Sequence, residues 1–354
     1  MNEALANLGI PDLEEALTSW GYKPSHAGPL LRAFYAGQDG NDLKLPRGLL
    51  ERVAQLPDAP CAAPMIRQVS LDGTTKLLLR MADGRSVESV MMPDHGGARV
   101  AGCISSQVGC AMACDFCATT KSGFERNLSV GEMVAQFLAL RREAAAIGRR
   151  LQTIVFMGMG EPLLNLDAVL ETVRRIADNR YGGLGWRQVT VSTVGLVPGI
   201  DALTETGLAF HLAISLHAPD DATRSKLLPT GRRFTIAEIL AAADRFQARR
   251  RRPVTIQYCL LRDVNDTAEH AEALAAVVGT RRMHVNLLTY NATGTSLRGV
   301  DYKASTPERS RAFVEILRQR GLVAHFRRSR GDDIDAACGQ LRERATQSPP
   351  VVFA

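Results

Sequence analysis

The stretch Cys103–Cys117, CISSQVGCAMACDFC, decides how the rest of the chain is read. Within it Cys110, Cys114 and Cys117 follow the pattern Cys-x3-Cys-x2-Cys, so one short loop can turn three thiolates onto a single inorganic centre. Structural zinc calls for four ligands closed in a tetrahedron, and this loop offers three thiols and no histidine. A cubane iron–sulfur cluster with one iron left open suits the set better. The plain alternative is three buried cysteines acting as small hydrophobes, and so tight a spacing speaks against it.

Working outward, 354 residues suffice for one large domain, or one large and one small, around a sizeable core. No apolar run approaches the length that crosses a bilayer. The first residues, MNEALANLGIPDLEE, carry neither a basic segment nor an apolar signal core, so a cytoplasmic protein with no membrane partner is expected. Seven cysteines, an odd number unevenly spread, are not a secreted disulfide framework; catalytic or metal-binding thiols are the expectation, with Cys61 structural or incidental. A net charge of +6 favours a polyanionic partner. The runs Arg141-Arg142, Arg149-Arg150, Arg249–Arg252 and Arg327-Arg328 read either as phosphate contacts or as solvated helix ends.

Toward the N-terminus, Leu13, Ala16, Leu17 and Trp20 share one helical face, and two further short helices are expected around Leu30–Phe34 and Leu49–Leu56. Ala59–Pro64 reads as a linker. Lys76–Met81 and Val87–Met92 flank Asp83-Gly84, a hairpin signal because the turn needs positive φ, and Glu88 falls on the second strand. Thereafter strands alternate with helices: strands over 99–105, 153–157, 188–193, 209–215, 254–260 and 283–289. Helices are capped at Ser129/Glu132 and Thr235/Glu238, run over Leu166–Ile176 and Ala268–Val278, follow Pro198, and open at Thr306-Pro307. Six strand–helix units predict an α/β fold, a partial (βα)6 barrel whose chemistry lies at the C-terminal strand ends. The expected division is a small helical region of RNA-binding type at 1–58, linker and β-hairpin at 59–95, the partial barrel at 96–328, and a C-terminal segment at 329–354 carrying Cys338.

The predicted strand ends carry Cys103, Gly158-Met159-Gly160-Glu161-Pro162, Ser192-Thr193, Ser215-Leu216-His217 and Tyr290-Asn291. Taken singly, the glycines could serve a turn, Ser192 a cap, His217 a satisfied core site and Asn291 a turn. Near the C-terminus, GDDIDAACGQL sets Cys338 in an Asp-rich turn expected to enter a short helix, whose macrodipole would lower the thiol pKa.

The three-cysteine loop resembles that of the radical S-adenosylmethionine (SAM) superfamily, in which three cysteines hold a 4Fe-4S cluster and SAM chelates the fourth iron. Together with MGMGEP, VSTVGLVP, SLHAP, VNLLTYN and GDDIDAACGQL, it is similar to the RlmN/Cfr family of radical SAM rRNA adenine methyltransferases over about Val87 to Leu341. The resemblance implies Cys110, Cys114 and Cys117 as cluster ligands, and SAM contacts from Gly160, Glu161, Ser192, Ser215, Leu216, His217 and Asn291. It implies two SAM per turnover: one methylates Cys338, the other is cleaved to a radical that takes a hydrogen from the S-methyl group. The methylene then adds to an adenine carbon. Cys103 resolves the adduct by forming a disulfide with Cys338, and both Cys103 and Glu88 are candidates to accept the ring proton. RNA is the implied partner, 23S rRNA and possibly tRNA, with a flavodoxin or ferredoxin as electron donor and a monomeric enzyme. Methylation at C2 is the first expectation and at C8, Cfr-like, the alternative. A noncatalytic RNA-binding protein holding zinc with Cys103 as fourth ligand is the reading from another class. The chain departs from the family pattern in lacking a tryptophan-rich N-terminal helix and in having Asn291-Ala292 where Asn-Pro is usual.

Overall fold

The computed structural model describes residues 4–38, 43–56, 64–94, 96–229 and 233–341. Helices α1 (Ile10–Ser19), α2 (Ala27–Ala36) and α3 (Arg47–Ala54) form the N-terminal helical region. Three strands follow, β1 (Ile66–Val69), β2 (Thr75–Arg80) and β3 (Ser86–Pro93), paired antiparallel. The β2–β3 hairpin falls where Asp83-Gly84 places it, with Gly84 at φ +85°. Strand β1 was not expected, since IRQV alternates between half-buried and exposed positions and has little apolar signal. Cys61 and most of the proposed linker lie outside the described residues.

Strand β4 (Arg99–Ile104) pairs antiparallel with β3 and opens a parallel series. A small hairpin of β5 (Gln107–Gly109) and β6 (Phe124–Asn127) brackets the cysteine loop. Then come α4 (Val130–Ala146), β7 (Arg150–Phe156), α5 (Leu166–Ala177), β8 (Val189–Thr193), α6 (Val197–Glu205), β9 (His211–Ser215), α7 (Asp221–Leu227), α8 (Ile236–Arg250), β10 (Val254–Leu260), α9 (Ala268–Val278), β11 (Met283–Thr289), α10 (Pro307–Gln319) and β12 (Val323–Arg327). The ten-stranded sheet runs β1-β2-β3-β4-β7-β8-β9-β10-β11-β12, parallel from β4 onward. The six expected strands are all present. A seventh parallel strand, β12, escaped notice because four of its five residues are exposed.

The helices form where their caps dictate. Ser129 Oγ accepts from Glu132 N at 3.2 Å and Glu132 Oε2 accepts from Ser129 N at 2.8 Å, a reciprocal pair stabilising α4 by about 1 kcal/mol. One face of α4 then buries Met133, Val134 and Phe137 against the sheet, each contributing roughly 1.5–3 kcal/mol. The N-terminal helices dock outside this layer: Tyr35 packs edge-on to Tyr181, Ile10 N donates to Tyr181 Oη at 2.8 Å, and buried Arg175 donates to Ala6 O and Asn7 O.

Several arginines of the basic runs serve the fold. Arg141 donates to Gly182 O, Arg149 to Asp94 O, and Arg250 to Leu203 O and Thr204 O. For these three residues the structural reading holds.

Candidate active site

The strand ends bring the cysteine loop to the barrel mouth. Gly109, with φ +70°, ends β5 and turns the chain so that Cys110 N donates to Gly123 O at 2.9 Å. Asp115 N donates to Leu227 O, and Asp115 Oδ2 accepts from Tyr302 Oη at 2.8 Å and Ser296 Oγ at 3.0 Å. Lys121 Nζ donates to Thr293 O. The loop is thus clamped from β6, from α7 and from the 290–304 connection.

The three thiols lie close enough for their charges to interact, Cys114 with both Cys110 and Cys117. None is paired in a disulfide. Burial pushes the Cys110 thiol up to about 12, Cys114 well above the ordinary range, and Cys117 upward. Opposing this, backbone N–H groups at Met112 and Gly160 serve Cys110, those of Thr119 and Thr120 serve Cys117, and the Arg224 guanidinium faces Cys114. Thiols that burial keeps protonated until metal cations displace their protons, with donors in place to support the thiolates formed, suit an iron–sulfur cluster. Among the described residues, no three His, Cys, Asp or Glu side chains converge on a point suited to a single metal ion. Cys103, the fourth zinc ligand of the alternative reading, interacts instead with Cys338.

Beside the loop, Gly160 has φ +101°, and a Cβ there would stand 2.6 Å from Gln107 Cβ. This closeness lets Gln107 Oε1 accept from Glu161 N at 2.9 Å. The Glu161 carboxylate is buried, accepts from Leu163 N at 3.0 Å and Val194 N at 2.9 Å, and is pushed up to about 7 by that burial. Such a carboxyl is poised to receive an ammonium group. Ser192 and Ser215 face each other with their hydroxyls 3.4 Å apart. Leu216 is fully buried. His217, at φ +57°, accepts from Cys259 N through Nδ1 at 3.0 Å and packs edge-on to Phe116 at 5.1 Å. Burial drives its pKa down to about 3, so the ring is neutral and braces the cysteine loop.

A second group of residues surrounds Cys338. Cys103 is opposite Val90 of β3, and Val90 is opposite Lys76 of β2, so Lys76, Glu88 and Cys103 share one sheet face. Lys76 Nζ lies 3.2 Å from Glu88 Oε1, both side chains being almost wholly buried. The chain after β12 crosses from the last strand back to this hairpin as a strap. Arg330 pairs with Asp72 at 3.3 Å, Leu71 N donates to Asp333 Oδ2 at 3.2 Å, and Lys76 Nζ donates to Asp335 O at 3.1 Å. Its other end is pinned to the cysteine loop, where Ala118 N donates to Gly339 O at 2.7 Å and Thr119 Oγ1 donates to Leu341 O. Asn291 Nδ2 donates to Cys338 O at 3.3 Å.

Cys338 sits between the two anchorages. Its surface is reachable by solvent, yet surrounding protein atoms desolvate the thiol and raise its pKa, offset in part by Arg327. The expectation of a thiol lowered by a helix dipole is therefore corrected. Among the described residues the helical turn near Cys338, Asp332–Ile334, precedes it, and none of them starts a helix at Cys338. Cys103 is buried, its pKa raised by burial and then by the neighbouring Cys338. Lys76, Asp115, Arg224 and Tyr302 have no site role in the sequence reading, and Arg327 figures there only as a phosphate contact or a solvated helix end. A lone lysine in the apolar run TKLLLR was the one available signal for Lys76.

Comparison with known proteins places this geometry. Residues 104–277 match the model of the radical SAM superfamily. The chain is 67% identical over 350 residues to the "Probable dual-specificity RNA methyltransferase RlmN 1" of Opitutus terrae, covering 97% of this chain and 98% of that protein. It is 41% identical to the "Probable dual-specificity RNA methyltransferase RlmN" of Moorella thermoacetica, covering 94% of each. A crystal structure of a radical SAM methyltransferase from Sphaerobacter thermophilus superposes with a TM-score of 0.89 at 41% identity, covering 96% of this chain and 99% of that one.

Proposed function

The chain belongs to the RlmN family of radical SAM RNA methyltransferases, and on that premise we propose that it methylates C2 of an adenine in 23S rRNA, and in tRNA, by way of S-methylated Cys338. The observation that carries methyl transfer through Cys338 is the strap itself, tied to the hairpin at Lys76 and to the cysteine loop at Ala118, which brings Cys338 near enough to Cys103 and Cys117 for their charges to interact. Family membership sets aside the noncatalytic zinc reading.

Cys110, Cys114 and Cys117 hold the 4Fe-4S cluster, and Glu161 with the backbone around Gly160 receives the SAM amino group, with Ser192 and Ser215 on the same wall. The cluster, when bound, supplies the electron that cleaves SAM to a carbon radical. Cys338 does the carrying. Its thiolate, favoured by Arg327, takes the methyl of a first SAM, and the sulfonium leaves as the neutral thioether. A second SAM is consumed in activating that methyl, two per turnover. Once the carbon is bonded to adenine, the adduct radical must give up one electron, which returns to the cluster; Glu88 takes the ring proton, and Cys103 attacks the Cys338 sulfur. The sulfur–sulfur bond forms as the sulfur–carbon bond breaks, and the carbon keeps the electron pair and is protonated to a methyl group.

Glu88 is favoured over Cys103 as proton acceptor because Glu88 has the Lys76 ammonium beside it, whereas burial and Cys338 oppose ionisation of Cys103. No described helix is long and apolar enough to cross a membrane. The proposal includes a monomer acting in the cytoplasm, reduced by a flavodoxin or ferredoxin, with the target adenine extruded from its stack into the mouth.

The test is nucleoside mass spectrometry of rRNA and tRNA from a host lacking its own adenine C2 methyltransferase, with and without this protein. Appearance of 2-methyladenosine is expected. Formation of 8-methyladenosine would replace the C2 assignment with C8, and neither product from a folded, cluster-bearing protein would overturn the substrate.

A further inference from the structure

We propose that Lys76 is a positioning residue that couples the proton acceptor Glu88 to the strap carrying Cys338; this rests on the proton-acceptor reading of Glu88 given above. Three observations carry it. Lys76 and Glu88 form an ion pair at 3.2 Å with both side chains almost wholly buried. The same ammonium donates to Asp335 O at 3.1 Å, three residues before Cys338. Asp335 adopts a left-handed backbone at φ +53°, so the strap turns at the residue whose carbonyl Lys76 holds.

The sheet register makes this a designed junction of three chain segments. Lys76 on β2 stands opposite Val90 and is therefore a diagonal neighbour of Glu88 on β3, with Cys103 of β4 on the same face. Ser105 Oγ, donating to Glu88 O at 2.8 Å, fixes the backbone from the other side. One cation thus sets where the carboxylate points and where the strap turns toward Cys103. It also compensates the carboxylate charge in a buried place. A buried carboxylate that loses compensation is drawn toward the neutral form, which accepts no proton. The step served is the breaking of the adenine C–H bond: the electron pair stays on the ring and the proton passes to a Glu88 oxygen. Lys76 itself touches neither RNA nor SAM in this assignment.

The experiment compares K76M, K76R, E88Q and the K76M/E88Q double variant in the full chain, reconstituted with cluster and SAM, in single turnovers on unmodified 23S rRNA. Three quantities are read: methyl on the Cys338 peptide, covalent protein–RNA adduct, and methyladenosine released. K76M is expected to methylate Cys338 within about threefold of the parent while product release slows about a hundredfold and adduct accumulates, at the low end of what a positioned base contributes. K76R restores most of the rate. The double variant, in which neither member of the ion pair is left facing a missing partner, keeps the protein folded and is no more blocked at ring deprotonation than E88Q alone, because at that step Lys76 acts through Glu88. Product release by K76M within about threefold of the parent, while E88Q stalls, overturns the inference. So does loss of Cys338 methylation in step with product, which would make Lys76 only a clip for the strap. If E88Q itself releases product normally, the proton-acceptor reading has failed, a result separable from the other two.

Discussion

Replacing Gly109 with alanine tests how the cysteine loop is set. Gly109 has φ +70°, and a Cβ there would stand 1.9 Å from Gly123 O, the acceptor of the Cys110 N–H bond. The left-handed backbone alone costs an alanine about 1–2 kcal/mol. Gly37, also left-handed at φ +72° with nothing within 4 Å of its Cβ position, isolates that part. At Gly109 the overlap must be relieved as well. Parting β5 from β6 gives up the Cys110–Gly123 bond, about 1 kcal/mol, and repacking adds about 1–3 kcal/mol. The excess of G109A over G37A is therefore about 2–4 kcal/mol. With an unfolding entropy of about 2.1 cal/mol/K per residue, 354 residues lose roughly 1–2 °C of Tm per kcal/mol, so G37A falls by about 2 °C and G109A by about 4–8 °C. A two-stranded hairpin can also open locally, moving Cys110 without unfolding the barrel. The assay is iron and acid-labile sulfide per chain after anaerobic reconstitution, with thermal unfolding on the same samples. G37A should load fully and G109A less than about half. A fully loaded G109A with the Tm of G37A would show that Gly109 does not set the loop.

Three further outcomes are expected. Because the pKa of Cys338 is raised by its crowded surroundings, iodoacetamide should alkylate it more slowly than a free cysteine at neutral pH, with the rate climbing up to about tenfold per pH unit above that; peptide mass spectrometry reads this, and fast neutral labelling would contradict it. Glu161 in the folded chain titrates at about 7, above its ordinary value, so ionising it costs stability progressively between the ordinary carboxyl range and pH 7; SAM, whose ammonium requires the ionised form, should bind about tenfold more weakly at pH 6 than at pH 8 by calorimetry, and E161Q should flatten the profile. Arg175→Ala leaves Ala6 O and Asn7 O without their buried donor and should cost about 2–5 kcal/mol, releasing the N-terminal helices to limited proteolysis while cluster content holds; unchanged protease resistance would count against the docking role.

Much of the barrel was legible because its strands are buried on both faces and its helices carry local signals. The Thr235/Glu238 cap and the stop at Gly279 fall where the sequence puts them. What escaped notice lacked apolar contrast: β12 reads VAHFR and is mostly exposed, and α7 is short and capped by Asp220 rather than marked by periodicity. The cysteine loop was visible through spacing, but its clamps were not, because Asp115, Ser296 and Tyr302 meet across some 180 positions. Lys76 shows the same limit. Nothing local distinguishes a lysine that snorkels to solvent from one whose register aims it at Glu88. The misreading of Cys338 came from taking an Asp-rich turn as a helix start, when Gly331 and Asp335 both adopt left-handed conformations and break the run.

The strap that carries Cys338 meets the hairpin and the cysteine loop from 221 (Gly339 to Ala118) to 262 (Asp333 to Leu71) positions away along the chain. Contacts of such span are formed after the loops they close have already been paid down by nearer pairings. On that ground sheet and cysteine loop are expected to settle while the strap bearing Cys338 is still unattached. Cys338 is then kept from Cys103 until the walls around both stand. Run backward, the same order lets the strap release as a unit, carrying Cys338 away while the sheet beneath remains intact.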